Sequence, residues 1–274
     1  MLIPGKRPAL VAYHARSGVV ALNVVTAALD ADARTADLDV RFAKDAEGMV
    51  RALREAAGGG APAGGAGSFY SPDFAAAAEA LSRVRQATRD LDVLHVAGGV
   101  HATAEPAATL AAGFDLAAIG EGERTVVELV VALAEGRDPR VLPGLAHLDG
   151  GRLVSHGPGE RAELDAFPPF NARHRKWNAV EITRGCVYAC SFCQTPYMFK
   201  ARFRHRSVAN VRAHVEAMAA SGSRFVRFLT PTSLSYGASD TSVNLAAVEE
   251  LLAAVREALG PEGKIYFGTF PSEV

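Results

Sequence analysis

Residues 179–193 read Ala179-Val180-Glu181-Ile182-Thr183-Arg184-Gly185-Cys186-Val187-Tyr188-Ala189-Cys190-Ser191-Phe192-Cys193. A short strand-like run leads into a loop that holds all three cysteines of the chain, spaced C-x3-C-x2-C. Thiolates are soft ligands, and three on one loop suit an iron–sulfur cluster, zinc or copper. A structural zinc site wants a fourth ligand; His174 or His205 would have to supply it, and neither stands at a zinc-finger spacing. An odd cysteine count leaves a free thiol in any disulfide scheme. Scattered core cysteines would not fall so close together. A four-iron cube uses all three thiols and keeps one iron open, and an open metal site is where chemistry happens.

This stretch resembles the signature of the radical S-adenosylmethionine (SAM) superfamily, where the cysteine loop follows the first strand of a barrel. The resemblance implies that Cys186, Cys190 and Cys193 each hold one iron of a 4Fe-4S cluster. It implies that the fourth iron chelates the amine and carboxylate of SAM, with Phe192 near the adenine. It further implies an electron from a reducing donor such as flavodoxin or ferredoxin, which cleaves SAM to a 5′-deoxyadenosyl radical. Arg184-Gly185 is a common lead-in to such a loop.

Composition agrees with a globular enzyme of two parts. The chain has 274 residues, 49% hydrophobic and 22% charged, with a net charge of −1. That length can bury a substantial core. The near-zero charge gives no broad basic surface for nucleic acid or membrane. No run approaches the roughly 18 apolar residues of a spanning helix. Residues 1–8 are polar and broken by proline, without a leader-like apolar run. A cytoplasmic protein acting on a small-molecule substrate is expected, with no nucleic-acid or membrane partner.

The first 139 residues alternate strand-like and helix-like segments. Strands are expected over 9–13, 38–42, 92–97 and 116–119, and helices over 19–29, 47–57, 74–87 and 124–134. Ser71-Pro72 opens the third helix as a cap followed by proline. Such alternation predicts an α/β domain with a doubly wound parallel sheet. Residues 58–67 (GGGAPAGGAG) fall where another strand belongs; glycine and alanine make poor strands, so they read as a flexible insertion or a degraded strand. In such sheets ligands bind at the carboxyl ends of the strands. His14-Ala15-Arg16-Ser17-Gly18, Ser68-Phe69-Tyr70 and Gly98-Gly99-Val100-His101 sit at such ends; each alone is also an ordinary turn.

Together, ahead of the cysteine loop, they look like the Rossmann-like cobalamin-binding domain that precedes many radical SAM domains. Gly98-Gly99 matches its glycine pair, Ser68-Phe69-Tyr70 partly matches its Ser-x-Leu element, and Gly120-Glu121-Gly122-Glu123 is similar to a recurrent stretch. The resemblance implies a cobalamin cofactor contacted by Ser68, Gly98, Gly99 and Gly120. A full Asp-x-His-x-x-Gly motif would need Asp at Ala12 and Gly at Ser17, and only His14 matches. Imidazole ligates metal best with a carboxylate fixing its tautomer, so His14 stands either as an axial cobalt ligand or as a loop histidine without one.

Residues 140–178 read as a connector, with Pro143-Gly144, a hairpin signal over 147–154 and Pro168-Pro169. Leu164-Asp165-Ala166-Phe167-Pro168 resembles the family's lead-in to the barrel, expected to set the first domain over the barrel mouth. Residues 179–274 read as the radical SAM domain. Arg202, Arg204, His205 and Arg206 form a basic cluster, either an anion contact or a brace or solvated face. Ser207 should cap a helix to about residue 220. Strands follow over 225–229 and 264–269, with a helix over 245–259 between them. Relatives carry a glycine-rich or acidic stretch after the second strand; Thr230-Pro231-Thr232 has neither, leaving backbone carbonyls there to meet SAM. This amounts to the first half of a (β/α)6 partial barrel, expected to be a fragment or to be completed by a partner.

The implied function is cobalamin-dependent methyl transfer or related carbon-centred chemistry. The alternatives are a radical SAM oxidoreductase or mutase without methyl transfer, or a cluster-binding module lacking turnover. RNA methylthiotransferases bring three further cysteines ahead of the loop, and none precedes Cys186.

Overall fold

The computed structural model describes residues 8–15, 18–58 and 63–268. Arg16 and Ser17 of the first loop, residues 59–62 of the glycine–alanine segment, and residues 269–274 with the expected end of the last strand lie outside the described residues. The chain divides into two units, Met1–Ala162 and Glu163–Val274.

The first unit runs β1 (Ala9–Tyr13), α1 (Val19–Ala31), β2 (Asp39–Ala43), α2 (Ala46–Gly58), β3 (Ala63–Ser68), α3 (Phe74–Ala87), β4 (Val93–Gly98), α4 (Gly99–Ala104), α5 (Pro106–Ala111), β5 (Leu116–Ala118), α6 (Gly122–Ala134), β6 (Leu145–Asp149) and β7 (Arg152–Ser155). Among the described residues one sheet has the order β2-β1-β3-β4-β5-β6-β7. Pairing is parallel from β2 to β5 and antiparallel from β5 to β7. The α/β reading holds, with a mostly parallel mixed sheet. The hairpin from the stretch read as connector forms its antiparallel edge. Gly150 and Gly151, at φ 55° and 82°, supply the two positive-φ positions that a tight turn matching strand twist demands.

The glycine–alanine segment contains a strand. β3 pairs with β1 and β4 on its two sides, Ala63 opposite both Ala9 and Val93. Ladder bonds on both edges override poor propensity, and small residues are what the space admits. A Cβ on Gly65 would lie 2.7 Å from Met49 Cε and 2.8 Å from His95 Nδ1. The sequence reading gives no helix between β4 and β5; α4 and α5 stand there, each of six residues, too short to show a helical period.

The second unit runs β8 (Val180–Glu181), β9 (Thr183–Arg184), α7 (Thr195–Phe199), β10 (Arg204–His205), α8 (Val208–Ala220), β11 (Phe225–Leu229), α9 (Leu245–Leu259) and β12 (Lys264–Tyr266). β8, β11 and β12 are parallel, in the order β12-β11-β8. β9 turns away to pair antiparallel with β10. Val180, Ile182, Val226 and Phe228 form one core with Val211 and Val215 of α8 and Val248, Leu251 and Val255 of α9. Ser207 caps α8 as expected, its Oγ accepting from the Asn210 N–H at 3.2 Å. Among the described residues no helix is long and apolar enough to cross a membrane.

Candidate functional site

The cysteine loop starts where β9 ends. Gly185 has φ +84°, and a Cβ there would collide with the Arg202 carbonyl, so the root of the loop can only be glycine. Cys186 is buried, Cys190 exposed and Cys193 half-buried, all as free thiols. The Cys193 N–H donates to the Cys190 carbonyl at 3.0 Å, which closes a turn between the last two. Burial raises the pKa of the Cys186 thiol, and the charges of Cys193 and Cys190 raise it further, against one backbone hydrogen bond from Tyr188. A bound cation would remove that penalty on the Cys186 thiolate. Among the described residues no three His, Cys, Asp or Glu side chains are gathered around one point; the cysteines share a loop rather than a ready-made cage.

The basic cluster beside this loop divides by burial. Arg206 is 2% exposed, which excludes a solvated face for it. Its Nε donates to the Glu181 carbonyl at 3.0 Å, and its Nη1 to the Phe167 carbonyl at 3.0 Å and Asn210 Oδ1 at 2.7 Å. His205 Nε2 faces the Ala238 carbonyl at 2.7 Å. A carbonyl only accepts, so the proton sits on Nε2, and Nδ1 accepts from the Thr183 hydroxyl at 2.9 Å. Burial lowers the His205 pKa, so the ring stays neutral. The lead-in segment packs on the same corner, where Asp165 Oδ1 accepts from the Ser207 N–H at 2.9 Å. Arg184 pairs with Glu181 at 2.6 Å, both largely buried. These groups brace the strand ends that carry the loop. Phe192 is 90% exposed, while Thr230 is buried with its hydroxyl donating to the Thr232 carbonyl at 2.8 Å.

In the first unit Ser68, Gly98, Gly99 and Gly120 line a single cleft at the carboxyl ends of β3, β4 and β5. Its volume is about 640 Å3 counting the open mouth, and Val25, Val96, Val126 and Leu129 give it apolar walls. Gly99 has φ +89°, and a Cβ there would lie 2.5 Å from Ser68 Oγ; on Gly18, at φ +73°, it would collide with the Ser68 carbonyl. The sequence reading gave Gly18 no role of its own, although a glycine just before a helix is the available signal for such a close approach. His14 is not among the lining residues. Its Nε2 lies 2.8 Å from Asn23 Oδ1, and its ring meets Phe42 edge-on at 5.4 Å. His101 also stands apart, Nδ1 on Ser71 Oγ at 3.0 Å and its ring stacked on Phe74 at 4.2 Å.

Three free thiols are thus delivered on one loop that follows β8 of the parallel sheet and the short antiparallel β9. Residues 180–272 match the radical SAM superfamily. The matched segment contains all three cysteines and the β8, β11 and β12 strands. A putative methylthiotransferase of Methanocaldococcus jannaschii is 27% identical over 189 residues, 66% of this chain and 40% of that protein. An uncharacterised methyltransferase of Pyrococcus horikoshii is 31% identical over 133 residues, 44% of this chain and 29% of that protein. The chain thus spans less than half the length of these curated relatives. In fold, it superposes on the cobalamin-dependent radical SAM enzyme OxsB with a TM-score of 0.71 at 16% identity, over 96% of this chain and 38% of OxsB. The radical SAM methyltransferase TsrM of Kitasatospora setae, in a structure with cobalamin and a [4Fe-4S] cluster bound, gives 0.67 at 20% identity, over 98% of this chain and 56% of TsrM.

Proposed function

We propose that the chain is the cofactor-bearing part of a cobalamin-dependent radical SAM enzyme that transfers a methyl group, or performs related carbon-centred chemistry, on a small molecule. The observation that carries this reading is the loop of three free thiols, Cys186, Cys190 and Cys193, rooted on a braced strand end in the radical SAM segment. These three would hold a 4Fe-4S cluster, which when bound supplies the electron that cleaves SAM reductively. Their soft donor set, and the absence of any disulfide among them, fit that group.

The chain's own residues hold and exclude. Arg206, His205 and Gly185 fix the root of the loop that would carry the cluster. Phe192, exposed beside Cys193, is available to cover the adenine of SAM, and the backbone at Thr230 to meet its amino end. In the first unit, bare backbone at Gly98, Gly99 and Gly120 and apolar walls fit a large cofactor with a flat tail. Ser68 offers that cleft a hydroxyl. His14 would not ligate cobalt, because its Nε2 is already engaged by Asn23.

Anaerobic reconstitution with iron, sulfide and hydroxocobalamin, followed by gel filtration and metal analysis, tests both halves. About four irons per chain and a cobalamin spectrum that persists support the proposal. Iron without cobalamin would restrict it to radical SAM chemistry without methyl transfer. Cys186→Ala, Cys190→Ala and Cys193→Ala should each lose the iron; full retention in any of them would remove the cluster assignment.

A further inference from the structure

Residues 230–244 join β11 to α9 and leave the sheet beside the strand that leads to the cysteines. Leu229, the last residue of β11, pairs with Glu181 of β8, and its carbonyl accepts from the Ile182 N–H at 3.0 Å. Thr232, Ser233, Tyr236 and Ala238 of this loop are buried, so it is packed rather than solvated. Two tethers hold it, one to the end of β10 and one to the residue after it. His205 Nε2 donates to the Ala238 carbonyl at 2.7 Å, and the Tyr236 hydroxyl donates to the Arg206 carbonyl at 2.6 Å. Burial pushes the Tyr236 pKa up to about 12, so the phenol keeps the proton it donates. The His205 and Tyr236 rings meet edge-on at 5.5 Å.

His205 carries its tether through to the thiols. It stands opposite Thr183 in the β9–β10 pair, and its Nδ1 accepts from the Thr183 hydroxyl at 2.9 Å. Thr183 lies three residues before Cys186. The chain Thr183–His205–Ala238 needs one side chain that accepts at one end and donates at the other, which a neutral imidazole does. Arginine or lysine, with donors only, would break it. The tethered loop is not satisfied within itself. Thr232 is 4% exposed, and its hydroxyl has no hydrogen-bond partner among the described residues. A loop held this firmly with a buried hydroxyl unsatisfied is shaped for a ligand rather than for its own packing.

We infer that His205 is a positioning residue, which sets the 230–244 loop at a fixed spacing from the cysteine loop so that SAM bound at the thiol-held cluster also meets that loop. This rests on the cluster and SAM reading above. His205 acts through Ala238 and Thr183 rather than on SAM. It orders the loop before SAM arrives, which removes the cost of ordering it from the binding step.

The test has two arms. In iron-free chain, hydrogen exchange reads the loop directly, because the Tyr236, Ala238 and Asn244 amides donate to Ser233, Ser235 and Leu234 carbonyls within it. His205→Leu should speed exchange of these amides about tenfold, with the α8 and α9 amides unchanged. Tyr236→Phe removes the second tether without changing shape and should speed them about threefold. In reconstituted chain, equilibrium dialysis measures SAM affinity, and paramagnetic resonance of the reduced cluster is recorded with and without SAM. His205→Leu should keep its iron and its spectrum without SAM, bind SAM about tenfold more weakly, and show a smaller spectral change on adding SAM. His205→Gln, which still donates to the Ala238 carbonyl, should bind SAM within about threefold of wild type. Unchanged exchange in both His205→Leu and Tyr236→Phe would overturn the inference. So would faster exchange with SAM affinity unaltered, or equal losses of affinity in His205→Leu and His205→Gln. Absence of iron in wild type would instead remove the cluster reading, and the exchange arm would still decide whether the tether exists.

Discussion

The guanidinium of Arg206 donates to the main-chain carbonyl of Glu181 at 3.0 Å, joining the strand after the cysteine loop to the strand before it. Its other bonds go to a second carbonyl and an amide. Replacement by alanine leaves buried acceptors without donors, at about 1–3 kcal/mol for each. Arg206→Ala should therefore destabilise the second unit by about 3 kcal/mol or more. Urea unfolding followed by fluorescence of Trp177, the single tryptophan, reads that unit, since Trp177 packs on Phe170 at 4.9 Å. An unchanged midpoint would show that the brace is dispensable.

Gly99→Ala should damage the cleft of the first unit. The substitution puts a side chain at φ +89° and places its Cβ 2.5 Å from Ser68 Oγ, a combined penalty of about 2 kcal/mol. Retained cobalamin after gel filtration should fall. Adding Ser68→Gly removes the clash but not the backbone strain, so recovery in the double variant should be partial. Full cobalamin retention in Gly99→Ala would disconnect this cleft from the cofactor.

His14→Ala should leave cobalamin affinity within about tenfold of wild type, because the ring is engaged by Asn23 rather than lining the cleft. A larger loss, together with loss of a nitrogen-ligand signature in the cobalt spectrum, would restore His14 as an axial ligand.

Acid should weaken both units. Burial first, and Arg85 second, lower the His95 pKa to about 4 from its ordinary 6.5. Burial and then Arg206 do the same for His214, also to about 4. Above pH 6.5 these rings are neutral folded and unfolded, and the full stability is present. As pH falls toward about 4, the unfolded chain takes up protons that the folded chain refuses, so stability drops, and it levels off below. The slope approaches about 1.4 kcal/mol per pH unit for each histidine. His214→Gln should flatten the dependence seen by Trp177 fluorescence between about pH 6 and about pH 4.5.

Much of this was legible because local chemistry and global fold agreed. The Cys186–Cys193 spacing, the Ser207 cap and the strand–helix alternation are each short-range signals that survive folding unchanged. What escaped was set by contacts between distant residues. β3 reads as a poor strand because its partners, β1 and β4, supply the ladder. The burial of Arg206 follows from carbonyls at Glu181 and Phe167, which no charge count reveals. Gly185 looked like a lead-in, and its necessity appears only against the Arg202 carbonyl.

The composition of β3 has a consequence for how the first unit assembles. A strand of Ala63-Gly64-Gly65-Ala66-Gly67-Ser68 has little side chain with which to nucleate, so it orders only when β1 and β4 already offer edges on both sides. Ser68 ends that strand and borders the cleft. Pulse-labelled hydrogen exchange during refolding should find the β3 amides protected after those of β1 and β4, and simultaneous protection would refute this order. The cleft would then be the last part of the unit to acquire its shape, and a ligand held there would act on the slowest step of maturation.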